Sequence, residues 1–445
     1  MSLQQFGYKE QLHRALTTRD LIIYGMIFMV PIAPYSVFGF VWNDAKGMVP
    51  LAYLVGLIGM FFTALSYAAM SRAFPLAGSV YTYAQRGLHE IAGFFSGWLI
   101  LLDYILVPSL LYLLSAVALR PILPQVPEWI WLLGFIGFNA VANLVGIQFT
   151  ARVNRYMLIM ELITLALFVL LGLIALYGGQ GAGRLTLKPI YDPQVFSWST
   201  VAGATSIAVL SFLGFDGIST LSEENRSGLN AVGRATVLSL VLVGALFMLQ
   251  TWIAADLSAG LHFTSPETAF YEIAERAGGT WLRLITIIAV VLASAIANAM
   301  VAQAAVSRVL FAMARDGKLP RILGKVHPRY MTPYVSTLAV SGVSLLAGLL
   351  FANRIDDLAS IVNFGALSSF VFLHLSVINH YFLRKRSGEW LRHLLLPLAG
   401  MLIIVYVLYE MDRAAKILGM CWIAIGVAYY FVLSLWAKKP IIADL

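Results

Sequence analysis

Twelve apolar runs follow one another between residues 21 and 436, and each is long enough to cross a hydrocarbon layer of roughly 30 Å. In lipid every backbone N–H and C=O must find its partner inside the protein, so a chain of such runs folds as an all-α polytopic membrane protein. The spans are read at 21–43, 49–72, 91–119, 129–147, 153–177, 199–222, 233–257, 281–312, 334–352, 358–383, 394–410 and 417–436. Little is left over for a soluble domain: 60% of the 445 residues are hydrophobic and 12% charged, which excludes an ordinary soluble enzyme. The first twenty residues are polar and carry Lys9, Arg14 and Arg19, so no cleavable signal is expected there.

The formal charge of +8 would suggest nucleic acid in a soluble protein. Here the basic residues collect in short loops on one side, and no nucleic-acid partner is expected. With the amino terminus in the cytoplasm, 21 of the 30 Lys and Arg fall inside and 9 outside. The inner set includes Arg72, Arg86, Arg152, Arg155, Arg226, Arg234, the group from Arg308 to Arg329, Lys438 and Lys439. That asymmetry favours both termini inside. Cys421, the one cysteine, lies in an apolar run and is read as packing. Between residues 257 and 276 an acidic outer segment with Glu267, Glu272 and Glu275 is expected to form a short, solvated surface helix.

Two spans are interrupted. The sixth contains S-F-L-G-F-D-G-I-S-T-L-S-E-E, in which Gly214 and Gly217 bracket Asp216 at mid-depth, where a carboxylate costs about 2.5–3.5 kcal/mol on insertion scales. The first contains M-V-P-I-A-P-Y-S, with Pro31 and Pro34 near its middle, and each proline removes a donor and frees a carbonyl. Breaks five spans apart point to an inverted repeat with a binding site at the midplane. The expected organisation is a cytoplasmic segment 1–20, a first repeat 21–177, an outer loop 178–198, a second repeat 199–383, two appended spans in 384–437 and a tail 438–445.

Asp103 and Tyr104 in the third span and Glu161 in the fifth join Asp216 to make three membrane-embedded acids with no evident basic partner. A surplus of buried carboxylates suits a path for cations or protons; for Glu161 a protonated acid bonded to a helix carbonyl is an equal alternative. Glu223 and Glu224 close the sixth span, where either a gate pair or plain solvation fits, solvation being the simpler. His374 is expected to be a satisfied core histidine. No metal-binding cluster, phosphate-binding glycine loop or nucleophile elbow occurs, so neither cofactor nor metal is expected, nor catalysis.

The run S-R-V-L-F-A-M-A-R-D-G-K-L-P from Ser307 to Pro320, with His327-Pro328, Thr332-Pro333, N-F-G-A-L from Asn363 and P-L-A-G-S-V-Y-T-Y-A-Q from Pro75, resembles the amino acid–polyamine–organocation transporter superfamily. The resemblance implies a five-plus-five inverted-repeat, LeuT-like core with substrate between spans one, three, six, eight and ten. F-L-G-F-D-G-I-S-T-L-S-E-E from Phe212 and L-L-D-Y from Leu101 are most similar to bacterial putrescine-type amine permeases. In that branch the first-span segment ends F-D-T-F-G, whereas this chain has Y-S-V-F-G, so Ser36 stands in place of an aspartate. Where many amino-acid members carry a lysine, Glu161 reverses the charge.

The expected substrate contacts are therefore Pro31, Ile32, Ala33, Pro34, Tyr35, Ser36, Asp103, Tyr104, Phe212, Gly214, Phe215 and Asp216, with Glu161, Glu223 and Glu224 in coupling or gating. A proline-rich break has few N–H donors, a lining suited to an ammonium group and poor for a carboxylate. The expectation is an importer of organic amines in the bacterial inner membrane, working by alternating access on membrane potential, protons or both. Its rivals are an amino acid permease or exchanger of the same fold, and a transport-inactive sensor or channel.

Overall fold

The computed structural model describes residue 14 and residues 16–436 apart from 121, 146 and 331; Lys9, Lys438, Lys439, the side chain of Arg152 and the expected tail lie outside what is described. Among the described residues the regular elements are helices. In order they are α1 (Thr18–Met29), α2 (Pro34–Ala45), α3 (Val49–Ala73), α4 (Ser79–Gly87), α5 (Glu90–Leu119), α6 (Glu128–Val145), α7 (Ile147–Tyr177) and α8 (Trp198–Ala208). There follow α9 (Ala231–Leu257), α10 (Ala269–Gly278), α11 (Thr280–Val291), α12 (Ala299–Arg315), α13 (Tyr334–Leu350), α14 (Ile355–Val377), α15 (Leu396–Glu410) and α16 (Arg413–Trp436). Nine helical stretches among the described residues are long and apolar enough to cross a membrane, ten when the bent pair α1 and α2 is taken as one span. Glu128–Leu144 and Tyr334–Leu350 are apolar but shorter.

The first break begins where a capped helix runs into Pro31. Thr17 and Asp20 form a reciprocal capping box at the start of α1, the Asp20 carboxylate accepting from Thr17 N at 2.9 Å, an arrangement that satisfies two orphan donors. At the other end Val30 takes φ +52°, a strained setting for a β-branched residue. Pro34 then opens α2 with its preset φ, and the two halves are bent by 52°. The carbonyl of Pro31 accepts from Gln250 Nε2 of α9 at 2.9 Å, which compensates one group that the break exposes.

In the sixth run, α8 tightens into a 3₁₀ turn at Val209–Phe212, the chain breaks over 213–215, and a 3₁₀ helix continues from Asp216 to Glu224. Nine residues is long for a 3₁₀ helix. Gly214 has φ +113°, and a Cβ there would lie 2.7 Å from the Phe28 ring. At Gly217 the distance to that ring would be 2.2 Å. The missing side chains thus let the end of α1 rest directly against the second break.

Between α11 and α12 the chain passes through a π-helical stretch, Leu292–Asn298. The stretches Leu391–Glu410 and Arg413–Leu435 have only 22% and 11% of their most apolar window buried, against 72% for Glu90–Leu119, so the last two runs sit at the periphery. Cys421 is exposed on α16 and is not a packing residue, because it faces outward from that peripheral helix. The acidic outer segment is also more than a solvated face. In α10, Phe270, Tyr271 and Ile273 are buried, Glu272 accepts from Thr264 N at 3.1 Å, and Glu275 pairs with Arg283 at 2.7 Å.

Candidate functional site

The two breaks face α5 and the π-helical stretch across a central cavity. Of the expected contacts, Ala33, Ser36, Asp103, Tyr104 and Gly214 line it. Asp103 is 1% exposed, and among the described residues neither of its carboxylate oxygens has a hydrogen-bond partner. An unpaired buried acid is expensive. This one borders the cavity.

Asp216 lies behind that wall and is already engaged. Its Oδ2 accepts a short hydrogen bond from the Tyr104 hydroxyl, and its Oδ1 accepts from Gly214 N at 3.1 Å. Pro31, Ile32 and Pro34 are outside the lining, as are three aromatics. Tyr35 stacks on Phe270 with ring centroids 3.8 Å apart, Phe212 meets Phe247 at 5.1 Å, and Phe215 meets Tyr67 at 5.9 Å. Their neighbours are other rings rather than the cavity.

The cavity also contains residues that the sequence reading passed over. Phe28 and Val30 reach it from the first break, and Ser294 and Asn298 from the π-helical stretch. Among the described residues the buried Oδ1 atom of Asn298 has no hydrogen-bond partner. A signal existed: in L-A-S-A-I-A-N two polar side chains stand four apart in an otherwise apolar run, which puts them on one helix face.

Backbone donors at both breaks are largely consumed. Ala33 N donates to Val30 O at 2.8 Å, Tyr35 N to Ile32 O at 3.0 Å, and Ser36 N to Ala33 O at 3.2 Å. At the second break Gly217 N donates to Gly214 O at 3.0 Å, and Gly214 N is held by Asp216. The freed carbonyls expected from the prolines are partly consumed too, since Pro31 O and Val30 O both have donors. What the cavity offers a charged ligand is mainly a carboxylate.

Glu161 is fully buried on α7, and neither of its oxygens has a hydrogen-bond partner among the described residues. It is not part of the cavity lining. Glu223 and Glu224 are not solvated, contrary to the simpler expectation. Glu224 pairs with Arg308 of α12 at 2.9 Å, and Glu223 with Arg315 at 3.5 Å while accepting from Ala77 N at 3.1 Å. Beside them Leu16 N donates to Glu224 O and Arg226 N to Leu16 O, both at 3.0 Å, so the start of the described chain is tied to the end of the sixth run. Two partners satisfy His374, Ser66 Oγ at 2.9 Å and Thr63 Oγ1 at 3.3 Å, as expected of a core histidine. Among the described residues no group of three His, Cys, Asp or Glu is placed to hold a metal.

Two broken helices around an acid-bearing cavity in an apolar bundle describe a membrane protein that handles a small solute. Residues 21–436 match the amino acid permease family, and the chain belongs to it: it is a multi-pass membrane transporter, not an enzyme. It is 31% identical to the low-affinity putrescine importer PlaP of Escherichia coli over 97% of this chain and 96% of the relative. It is 27% identical to the branched-chain amino acid permease BcaP of Bacillus subtilis, over 96% of this chain and 94% of the relative. The methylthioribose transporter of Bacillus subtilis is 25% identical over 96% of this chain and 94% of the relative.

Proposed function

We propose that this protein imports organic amines across the bacterial inner membrane by alternating access. The observation that carries the reading is Asp103: a buried carboxylate with two unpartnered oxygens, bordering the central cavity. An ammonium group docked there would supply the missing partner, with its charge compensated and its donors bonded. In this reading Tyr104 orients the wall and Asp216 acts through it as a positioning residue. The likeness to a putrescine importer supports amines, and the identity of the relatives' sources supports the bacterial membrane.

The second reading, an amino acid permease or exchanger, is favoured by the name of the Bacillus relative. Against it stands the shortage of donors, because a zwitterion brings a carboxylate that needs N–H groups, and those at both breaks are largely engaged. The twelve-span, five-plus-five arrangement, with repeats at 21–177 and 199–383, is supported by the two breaks that meet at one cavity. Glu161 is proposed as a proton-coupling group, and the pairs of Glu223 and Glu224 as a cytoplasmic gate. The lipid bilayer is the surrounding solvent in this scheme.

The test is uptake of labelled amine by the purified protein in proteoliposomes with a negative-inside potential. Asp103→Asn is expected to lower kcat/KM at least a hundredfold while the protein still elutes as a monodisperse, cooperatively unfolding species. Uptake at the wild-type rate by that variant would end the proposal.

A further inference from the structure

We infer that the preferred substrate is a monocationic amine with an apolar tail rather than a diamine; the inference rests on the amine reading above. Among the residues that line the cavity, Asp103 alone carries an ionisable carboxylate, and no Lys or Arg joins it. From Asp103 the lining side of α5 continues through Val107, Leu110, Leu111 and Leu114. These stand four, seven, eight and eleven residues on, the spacing of one helix face. At about 1.5 Å per residue the aliphatic stripe extends roughly 16 Å beyond the acid. Val37, Leu210 and Leu213 close it from α2 and the sixth run.

A ligand whose ammonium sits on Asp103 therefore lays its chain along hydrocarbon. An alkyl or phenylalkyl tail gains from that burial. The second ammonium of a short diamine such as putrescine would meet this aliphatic wall before reaching the next carboxylate, Asp356, which lines the adjoining pocket at the far end of the stripe, and an unpaired charge in an apolar site is strongly unfavourable. The polar groups elsewhere in the lining do not remove the problem. Ser211 is engaged with the Tyr53 hydroxyl at 2.8 Å, and Ser294 and Asn298 are neutral, so they can accept a hydrogen bond but cannot balance a charge. Ser36 also lines the cavity, from α2. It is the position at which a second carboxylate would alter the balance.

The experiment is titration calorimetry on the full-length, detergent-purified protein, because a binding readout is unaffected by passive leak of apolar amines through liposomes. Four probes are compared: hexylamine, phenethylamine, putrescine and leucine. The expected result is at least tenfold tighter binding of a monoamine than of putrescine. Ser36→Asp should then move the putrescine-to-monoamine affinity ratio at least tenfold toward the diamine, and Asp103→Asn should abolish monoamine binding. Putrescine binding as tightly as the monoamines, and through Asp103, overturns this inference and leaves the amine reading standing. Leucine binding in preference to every amine, or binding of none of the four, overturns both.

Discussion

At the scale of single residues, the site depends on side chains that are missing as much as on those present. Gly214 combines φ +113° with a Cβ position 2.7 Å from the Phe28 ring, whereas Gly217 has the close approach, 2.2 Å, without the positive φ. Gly214→Ala is expected to destabilise the protein by roughly 2–5 kcal/mol, from strained backbone together with overpacking. Gly217→Ala is expected to lose less, and Phe28→Leu should recover more of the loss at 217 than at 214, because a Cβ at 217 meets Cε1 and Cδ1 of the ring whereas one at 214 meets Cδ2, Cγ and the backbone oxygen of Phe28, and leucine removes Cε1 but keeps Cγ and the oxygen. Thermal unfolding of the wild type, the three single variants and the two double variants in one detergent checks this, and equal rescue at both positions would contradict it. The prediction follows from a shape that no local pattern encodes. A glycine flanking an aspartate was legible in the string; that the obstacle is Phe28, nearly two hundred residues away, was not.

At the scale of elements, the end of the sixth run is held by charges that come from other helices. Glu224 and Arg308 are 9% and 13% exposed in their side chains and 2.9 Å apart. Removing one partner of such a pair leaves an uncompensated buried charge, which costs about 3–5 kcal/mol, while removing both costs less. Glu224→Gln and Arg308→Gln are each expected to destabilise the protein more than the double variant does. The cycle should give a coupling of about 1–3 kcal/mol, in the range found for contacting residues. Strict additivity in chemical or thermal unfolding would show that the pair is not a unit. Solvation was the simpler expectation for these glutamates because they close an apolar run beside Asn225 and Arg226. The structure differs because α12 delivers Arg308 and Arg315 to the same place, and the sequence separation of those partners hides the meeting.

At the scale of the whole molecule, the proposed import of a monocation would be driven by the membrane potential. Each charge moved inward gains about 2.3 kcal/mol at 100 mV, negative inside, so a monoamine alone is expected to accumulate about fifty-fold and a charge-plus-proton cycle far more. Measuring accumulation against an imposed potential in proteoliposomes gives the number of charges carried. A slope of one charge is expected for Glu161→Gln, and a steeper slope in the wild type would report the proton. A slope independent of potential in both would contradict electrogenic import. The helical class, the run of apolar segments and both interruptions could be read from the order of residues alone, because burial in lipid forces every span to satisfy its own backbone and so writes itself as a local pattern. The family, too, could be recognised from its motifs, as the match over residues 21–436 bears out. Which acids face the cavity could not be read there. Asp103 and Asp216 look alike in sequence, and only the packing of α5 against the second break makes one of them the unpartnered wall of the cavity and the other the acceptor of Tyr104. Likewise the lining from Ser294 and Asn298 depends on a π-helical stretch between α11 and α12. Depth along a span is a property of the chain, but direction around it is decided by the neighbours it packs against.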